Sequence, residues 1–176
     1  MLLQKKTFKV RSTCRLCDSS NLKLILDMPS SQPVDNFRPA FSDHLKIESF
    51  EMSLFICKSC GHVQLLHVVD PNILYGNYIY ESSSSPDLKK HFLEYADYLF
   101  DQGYLKKDLK ILDVGSNDGL LLDFLKKKGA KTFGVDPAKK VAEISANKGH
   151  TIFCEYLNQN LVKKIKTSKI SPFDVI

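Results

Sequence analysis

The chain has 176 residues, a formal net charge of +5 and 43% hydrophobic residues. That length suits one moderate domain or two small ones, and that apolar content excludes wholesale disorder. No apolar run approaches the ~20 residues of a membrane span, and MLLQKKTFKVR has too short an apolar part for a signal peptide, so a soluble, cytoplasmic protein is expected.

The basic residues are scattered through LKK, LKKDLK, FLKKKG, PAKK and VKKIK. Such spacing suits solvated helix faces rather than a stripe that tracks a phosphate backbone, so no nucleic-acid partner is expected.

The N-terminal third carries two C-x-x-C pairs, Cys14/Cys17 in CRLC and Cys57/Cys60 in CKSC. An odd total of five cysteines without a secretion signal argues against a disulfide framework. Zinc takes four soft ligands tetrahedrally, and each C-x-x-C turn offers two sulfurs on one side of a tight loop. A structural Zn2+ site of Cys14, Cys17, Cys57 and Cys60 is therefore expected. Four thiolates close the coordination shell, so the metal has no catalytic position, and His62 and His67 are not needed as ligands. Gly61 after the second pair suits a left-handed turn. FEMSLFI (50–56) and HVQLLHVV (62–69) read as the strands entering and leaving that turn. Between the pairs, Pro29, Pro33 and Pro39 forbid regular helix or central strand. That segment is expected to be extended, with Asn36 and Phe37 able to face a ligand.

YGNYIYESSSSPDLKKHF (75–92) joins this region to the next. Four serines and Pro86 read as a linker, and Tyr75, Tyr78 and Tyr80 do not. From Leu109 onward, strands and helices alternate: LKILDVG, GLLLDFLKKKG, KTFGVD, PAKKVAEISANKG, HTIFCEYL, NQNLVKKIKTSK and the opening of a fourth strand, PFDVI. The expected fold is therefore α/β: a zinc-ribbon-like domain (1–74), a connecting segment and helix (75–108), and an incomplete Rossmann-like domain (109–176).

The functional loop is DVGSNDG, Asp113 to Gly119, between the first strand and first helix. Gly115 permits a tight turn, and helix-start N–H groups favour polar ligand atoms. Asp136 ends the second strand, where an acid can hold the two hydroxyls of a ribose, and it can also cap the helix at Pro137. The loop lacks the G-x-G-x-x-G of dinucleotide sites, and Asp118 would repel a pyrophosphate. S-adenosyl-L-methionine, with a ribose and no phosphate, fits better than NAD. Ser116, Asn117, Asp118 and Gly119 complete the expected cofactor loop. Glu155 and Tyr156 are placed to meet an adenine edge, and Cys154 is expected to be buried.

CRLC, the Pro33/Asn36 pair in QPVDNF, CKSCGHVQLL, YIYESSSSPDLKKHF and ILDVGSNDGLLLDF followed by GVDP occur here in that order. The chain thereby resembles the S-adenosylmethionine-dependent C-methyltransferases of nucleotide-linked deoxysugars over nearly its whole length. The resemblance implies an N-terminal zinc-binding domain, a class I methyltransferase core and a further C-terminal domain. It implies methylation of carbon 3 of a 4-keto sugar through an enolate, with a nucleotide sugar as substrate. Carried over, Tyr78 and Tyr80 become candidates for proton transfer or enolate stabilisation, while Ser85 and His91 become candidates for holding cofactor or sugar. The chain ends inside the fourth of the seven strands such a sheet has, so a fragment without the C-terminal domain is expected, and a monomer. Two other readings stay open: a methyltransferase acting on RNA or protein, and a non-catalytic zinc-ribbon binding protein.

Overall fold

The computed structural model describes residues 7–34, 48–76 and 78–176. Asn36, Phe37 and Pro39 lie outside the described residues. The chain divides into two compact units, Met1–Leu74 and Tyr75–Ile176.

The first unit holds β1 (Phe8–Val10), β2 (Leu22–Leu26), β3 (Leu54–Cys57), β4 (Val63–Leu65) and β5 (His67–Val69). β2, β3 and β4 form an antiparallel sheet in that order, and β1 pairs antiparallel with β5. Gly61 has φ +78° and donates its N–H to the Cys57 carbonyl at 2.8 Å, closing the turn between β3 and β4. HVQLLHVV is not one strand. It breaks at Leu66, because β4 pairs with β3 while β5 pairs with β1. β1 and β2 were not legible as strands. LKLIL lacks the alternation of a half-buried strand, and four of its five residues are exposed. Among the described residues of this unit, the buried apolar side chains are Cys14, Phe50 and Cys57.

A short helix α1 (Pro71–Tyr75) leads into the tyrosine segment. In the second unit Ser82–Ser84 form one 3₁₀ turn, followed by α2 (Pro86–Asp101). Ser85 caps α2, its hydroxyl accepting from the Leu88 N–H at 3.3 Å, and Pro86 occupies the first turn, where a missing N–H costs nothing. Then come β6 (Lys110–Val114), α3 (Leu120–Lys127), β7 (Lys131–Val135), α4 (Lys139–Asn147), β8 (Thr151–Phe153) and α5 (Gln159–Thr167). β6, β7 and β8 are parallel neighbours in that order. Val175 adds a parallel bridge to Ile111 on the far side of β6. The spatial order is thus Val175 segment, β6, β7, β8. The strand order reverses beside β6, which is the switch point where doubly wound sheets bind ligands.

Alternation along the strands sends side chains to two helical layers. Ile111 packs with Ala96, Leu105, Leu122 and Leu125 of the α2 and α3 side, while Leu112 and Val135 pack with Leu161 and Ile165 of α5. Two sequence expectations fail at the sheet's margins. HTIFCEYL yields only three strand residues, because pairing with β7 ends at Phe153, and Cys154 is therefore exposed rather than buried. PFDVI supplies a single bridge rather than a formed strand.

Candidate functional site

The two C-x-x-C turns bring four sulfurs together in the first unit. All four lie within 4.8 Å of one another, with Cys14 Sγ 3.7 Å from Cys60 Sγ and Cys17 Sγ 3.6 Å from Cys57 Sγ. A tetrahedron with ~2.3 Å zinc–sulfur bonds has edges of ~3.8 Å, so the donor set fits zinc. Cys14 and Cys57 are buried, and Cys17 and Cys60 are exposed. Burial pushes the Cys57 thiol up, but the backbone N–H groups of Cys60 and Ser59 outweigh it and bring it down to about 6. Cys17 is pulled down by the Ser19 N–H, yet the crowded thiols, Cys60 foremost, together with burial drive it up to about 12. Four thiolates this close need a cation between them. His67 is outside the cluster, its ring packed 5.0 Å from Phe8.

In the second unit a cavity of about 470 Å³ opens at the carboxyl ends of β6 and β7. Its lining combines Tyr75, Tyr78, Tyr80 and Ser82 of the tyrosine–serine segment, Val114, Gly115 and Asn117 of the loop after β6, Val135, Asp136, Pro137 and Ala138 at the end of β7, and Tyr156 and Leu157 after β8. Asp136 is the one ionisable acid in this lining, and among the described residues no lysine or arginine joins it. Gly115 has φ +82°, and a Cβ there would meet nothing within 4 Å, so the backbone faces open space. Gly119, also left-handed, is required for a different reason: a Cβ would fall 2.3 Å from Ser145 Oγ on α4.

Asp136 is 7% exposed and fixed by two backbone bonds. Its Oδ2 accepts from the Asn117 N–H at 2.9 Å and its Oδ1 from the Ala138 N–H at 2.9 Å. Each carboxylate oxygen keeps a further lone pair for a ligand hydroxyl. The Asp113 carboxyl is held above the ordinary carboxylate range by burial, and next by the Asp136 charge.

With this geometry in view, comparison with known proteins is informative. A family model described as "Putative zinc binding domain" matches residues 14–75. C-methyltransferase NovU of Streptomyces niveus is 25% identical over 136 residues, which is 77% of this chain and 32% of that protein. The resemblance to C-methyltransferases read from the motifs is therefore borne out, and the chain spans about a third of the length of this curated relative. Among solved structures, magnesium protoporphyrin IX methyltransferase from Synechocystis PCC 6803 with bound SAM aligns at 22% identity, covering 40% of this chain and 38% of that one, with a TM-score of 0.36. A SAM-dependent methyltransferase from Aquifex aeolicus aligns at 18% identity, 47% of this chain and 50% of that one, TM-score 0.34. The α/β assignment rests on the strand order above rather than on these overlaps.

The structure gathers Tyr78, Tyr80, Gly115, Asn117, Asp136 and Pro137 around the cavity. It does not bring the other expected cofactor residues there. Asp118 is fully buried, its Oδ2 accepting from the Ser83 N–H at 3.1 Å, with Lys148 Nζ 3.9 Å away. Ser116 is buried against Gly134. Asp113 and Ser116 line a smaller cleft with Phe92 and Leu120, Gly119 caps α3, and Ser85 caps α2. His91 is exposed on α2, stacked on Tyr95. Tyr75, Ala138 and Leu157 were missed as cavity walls. Tyr75 had a signal, being the first tyrosine of the Tyr75–Tyr78–Tyr80 run, whereas Leu157 follows a strand that ends earlier than its apolar pattern suggested.

Proposed function

We propose that this chain is the zinc-binding and cofactor-binding part of an S-adenosylmethionine-dependent C-methyltransferase whose substrate is a nucleotide-linked 4-keto-deoxysugar, methylated at carbon 3. The cavity carries this reading: one oriented carboxylate, an open glycine turn and four tyrosines, with no cation in the lining to balance a pyrophosphate. Asp136 would hold the two ribose hydroxyls, one on each oxygen, with Gly115 and Asn117 meeting the amino-acid end and Pro137 the adenosine side. The cofactor supplies an electrophilic methyl group on a sulfonium. Cys14, Cys17, Cys57 and Cys60 would hold a structural zinc ion that takes no part in the chemistry.

The chain's own residues would act by position. Tyr78 and Tyr80 stand with ring centroids 6.4 Å apart on the cavity wall. A phenolic O–H there can donate to the oxygen of an enolate, which forms when the proton next to the ketone is removed.

The test is transfer of labelled methyl by protein that contains this chain, given a nucleotide-linked 4-keto-deoxysugar. A product labelled on carbon is expected, with turnover falling at least ~100-fold in Tyr78→Phe/Tyr80→Phe. Label on RNA or protein instead, or full turnover without both hydroxyls, would defeat the reading.

A further inference from the structure

Asn117 sits at a left-handed φ of +48°, a conformation that asparagine tolerates better than most residues. Its side chain makes two bonds to the tyrosine–serine segment, 35 and 37 positions away. Oδ1 accepts from the Ser82 N–H at 2.9 Å, and Nδ2 donates to the Tyr80 carbonyl at 2.9 Å. The backbone N–H of the same residue donates to Asp136 Oδ2. One side chain must therefore both donate and accept while its backbone stays left-handed. Aspartate cannot donate, and glycine has no side chain. The next residue continues the pattern, since Asp118 accepts from Ser83 N–H.

We infer that Asn117 is a positioning residue that couples the Asp136 carboxylate to the tyrosine wall, so that a ligand held at Asp136 fixes where Tyr80 and Ser82 stand. Asp136 orients the Asn117 backbone, and the Asn117 carboxamide clamps Tyr80 and Ser82 on either side of Glu81. The serine run, which read as a linker, is thereby one rigid turn tied to the loop rather than a hinge. Lys140 Nζ adds a more exposed tie to Glu81 Oε1 at 2.8 Å. The tether is a property of the free chain. Its coupling to a ligand rests on the proposed cofactor reading.

Amide hydrogen exchange tests both parts on the whole chain. Asn117→Gly keeps the left-handed backbone and removes both side-chain bonds. It is expected to speed exchange of the Ser82 N–H at least ~10-fold, with the Leu112 N–H in β6 unchanged as a control for folding. S-adenosylhomocysteine is expected to slow exchange at Ala138 and Ser82 in the wild type, but at Ala138 alone in Asn117→Gly. Asn117→Asp, which still accepts from Ser82 but sets a carboxylate against the Tyr80 carbonyl, is expected to keep Ser82 slow while shifting the Tyr80 ring resonances. Unchanged Ser82 exchange in Asn117→Gly would overturn the tether, and equal protection of Ser82 by the ligand in both proteins would overturn the coupling. If calorimetry shows no S-adenosylhomocysteine bound to the wild type, the cofactor reading has failed, and Ser82 exchange in the free protein alone decides the tether.

Discussion

The two units of this chain reach a fixed structure by different physics. The N-terminal unit has three buried apolar side chains among its described residues, two of them the cysteines Cys14 and Cys57, and its β2 strand leaves Leu24, Ile25 and Leu26 at 44–50% exposure. The C-terminal unit buries a leucine-rich core on both faces of its sheet, with Leu122, Val141 and Leu161 at 0% exposure. One unit needs a cross-link of sulfur and metal, because its own core cannot offset the conformational entropy of ordering the chain. The other has enough apolar burial to stand without one. What the second unit spends its polar groups on is the loop: Asp118, Asp136 and Asn117 are all engaged by backbone N–H or C=O groups.

The largest break in this comparison should come from the metal site. Cys57→Ser, or a strong chelator, is expected to release zinc and abolish amide protection in β3 and β4. Ligand free energies of ~10–16 kcal/mol in small zinc modules far exceed what three buried side chains provide. Stoichiometric metal retained in Cys57→Ser would show that the four-cysteine site is wrong.

A core truncation is the reciprocal test. Leu122→Ala removes a fully buried side chain from the α3 face and is expected to cost about 2–5 kcal/mol, read as a lower unfolding midpoint of the second unit. Bound zinc should stay stoichiometric. Zinc loss in that variant would erase the distinction between the units.

Asp136→Ala sharpens the contrast inside the second unit, between residues that build the loop and residues that serve the cavity. Two backbone N–H groups lose their acceptor, for about 1–3 kcal/mol each, and affinity for S-adenosylhomocysteine is expected to fall at least ~10-fold while the sheet persists. Unchanged affinity would reduce Asp136 to a brace for Asn117 and Ala138.

The smallest effect concerns acid. His150 is buried between Thr132 Oγ1 at 2.8 Å and Asp123 Oδ1 at 3.0 Å, and burial holds its imidazole below the ordinary 6.5. Asp123 opposes that shift, while Lys126 and Lys148 add to it. The folded state thus binds fewer protons here than the unfolded chain below pH 6.5, so the stability this group contributes is full above that pH and falls as acid is added. Urea midpoints of the second unit should drop between pH 7.5 and pH 5, and His150→Gln should flatten that slope.

Legibility in the sequence followed the strength of each local signal. The cysteine pairs and the alternating apolar runs from Lys110 to Val135 were readable because spacing and period carry them. Asp136 was readable because it ends a strand before a proline. Asp118 was expected in the cofactor loop, and nothing local says that its carboxylate is buried and meets Ser83, 35 residues earlier. The same holds for the clamp made by Asn117. Contacts of that sequence separation leave no period behind. Cys154 was taken as buried because its neighbours are apolar, whereas the strand stops one residue before it.

The most direct test is calorimetric titration of the folded, zinc-loaded chain with S-adenosylhomocysteine, with NAD as a competitor. The structure predicts one binding event per chain, undisturbed by NAD, because the cavity offers a carboxylate for a ribose and no cation for a pyrophosphate. Absence of heat, or displacement by NAD, would contradict it.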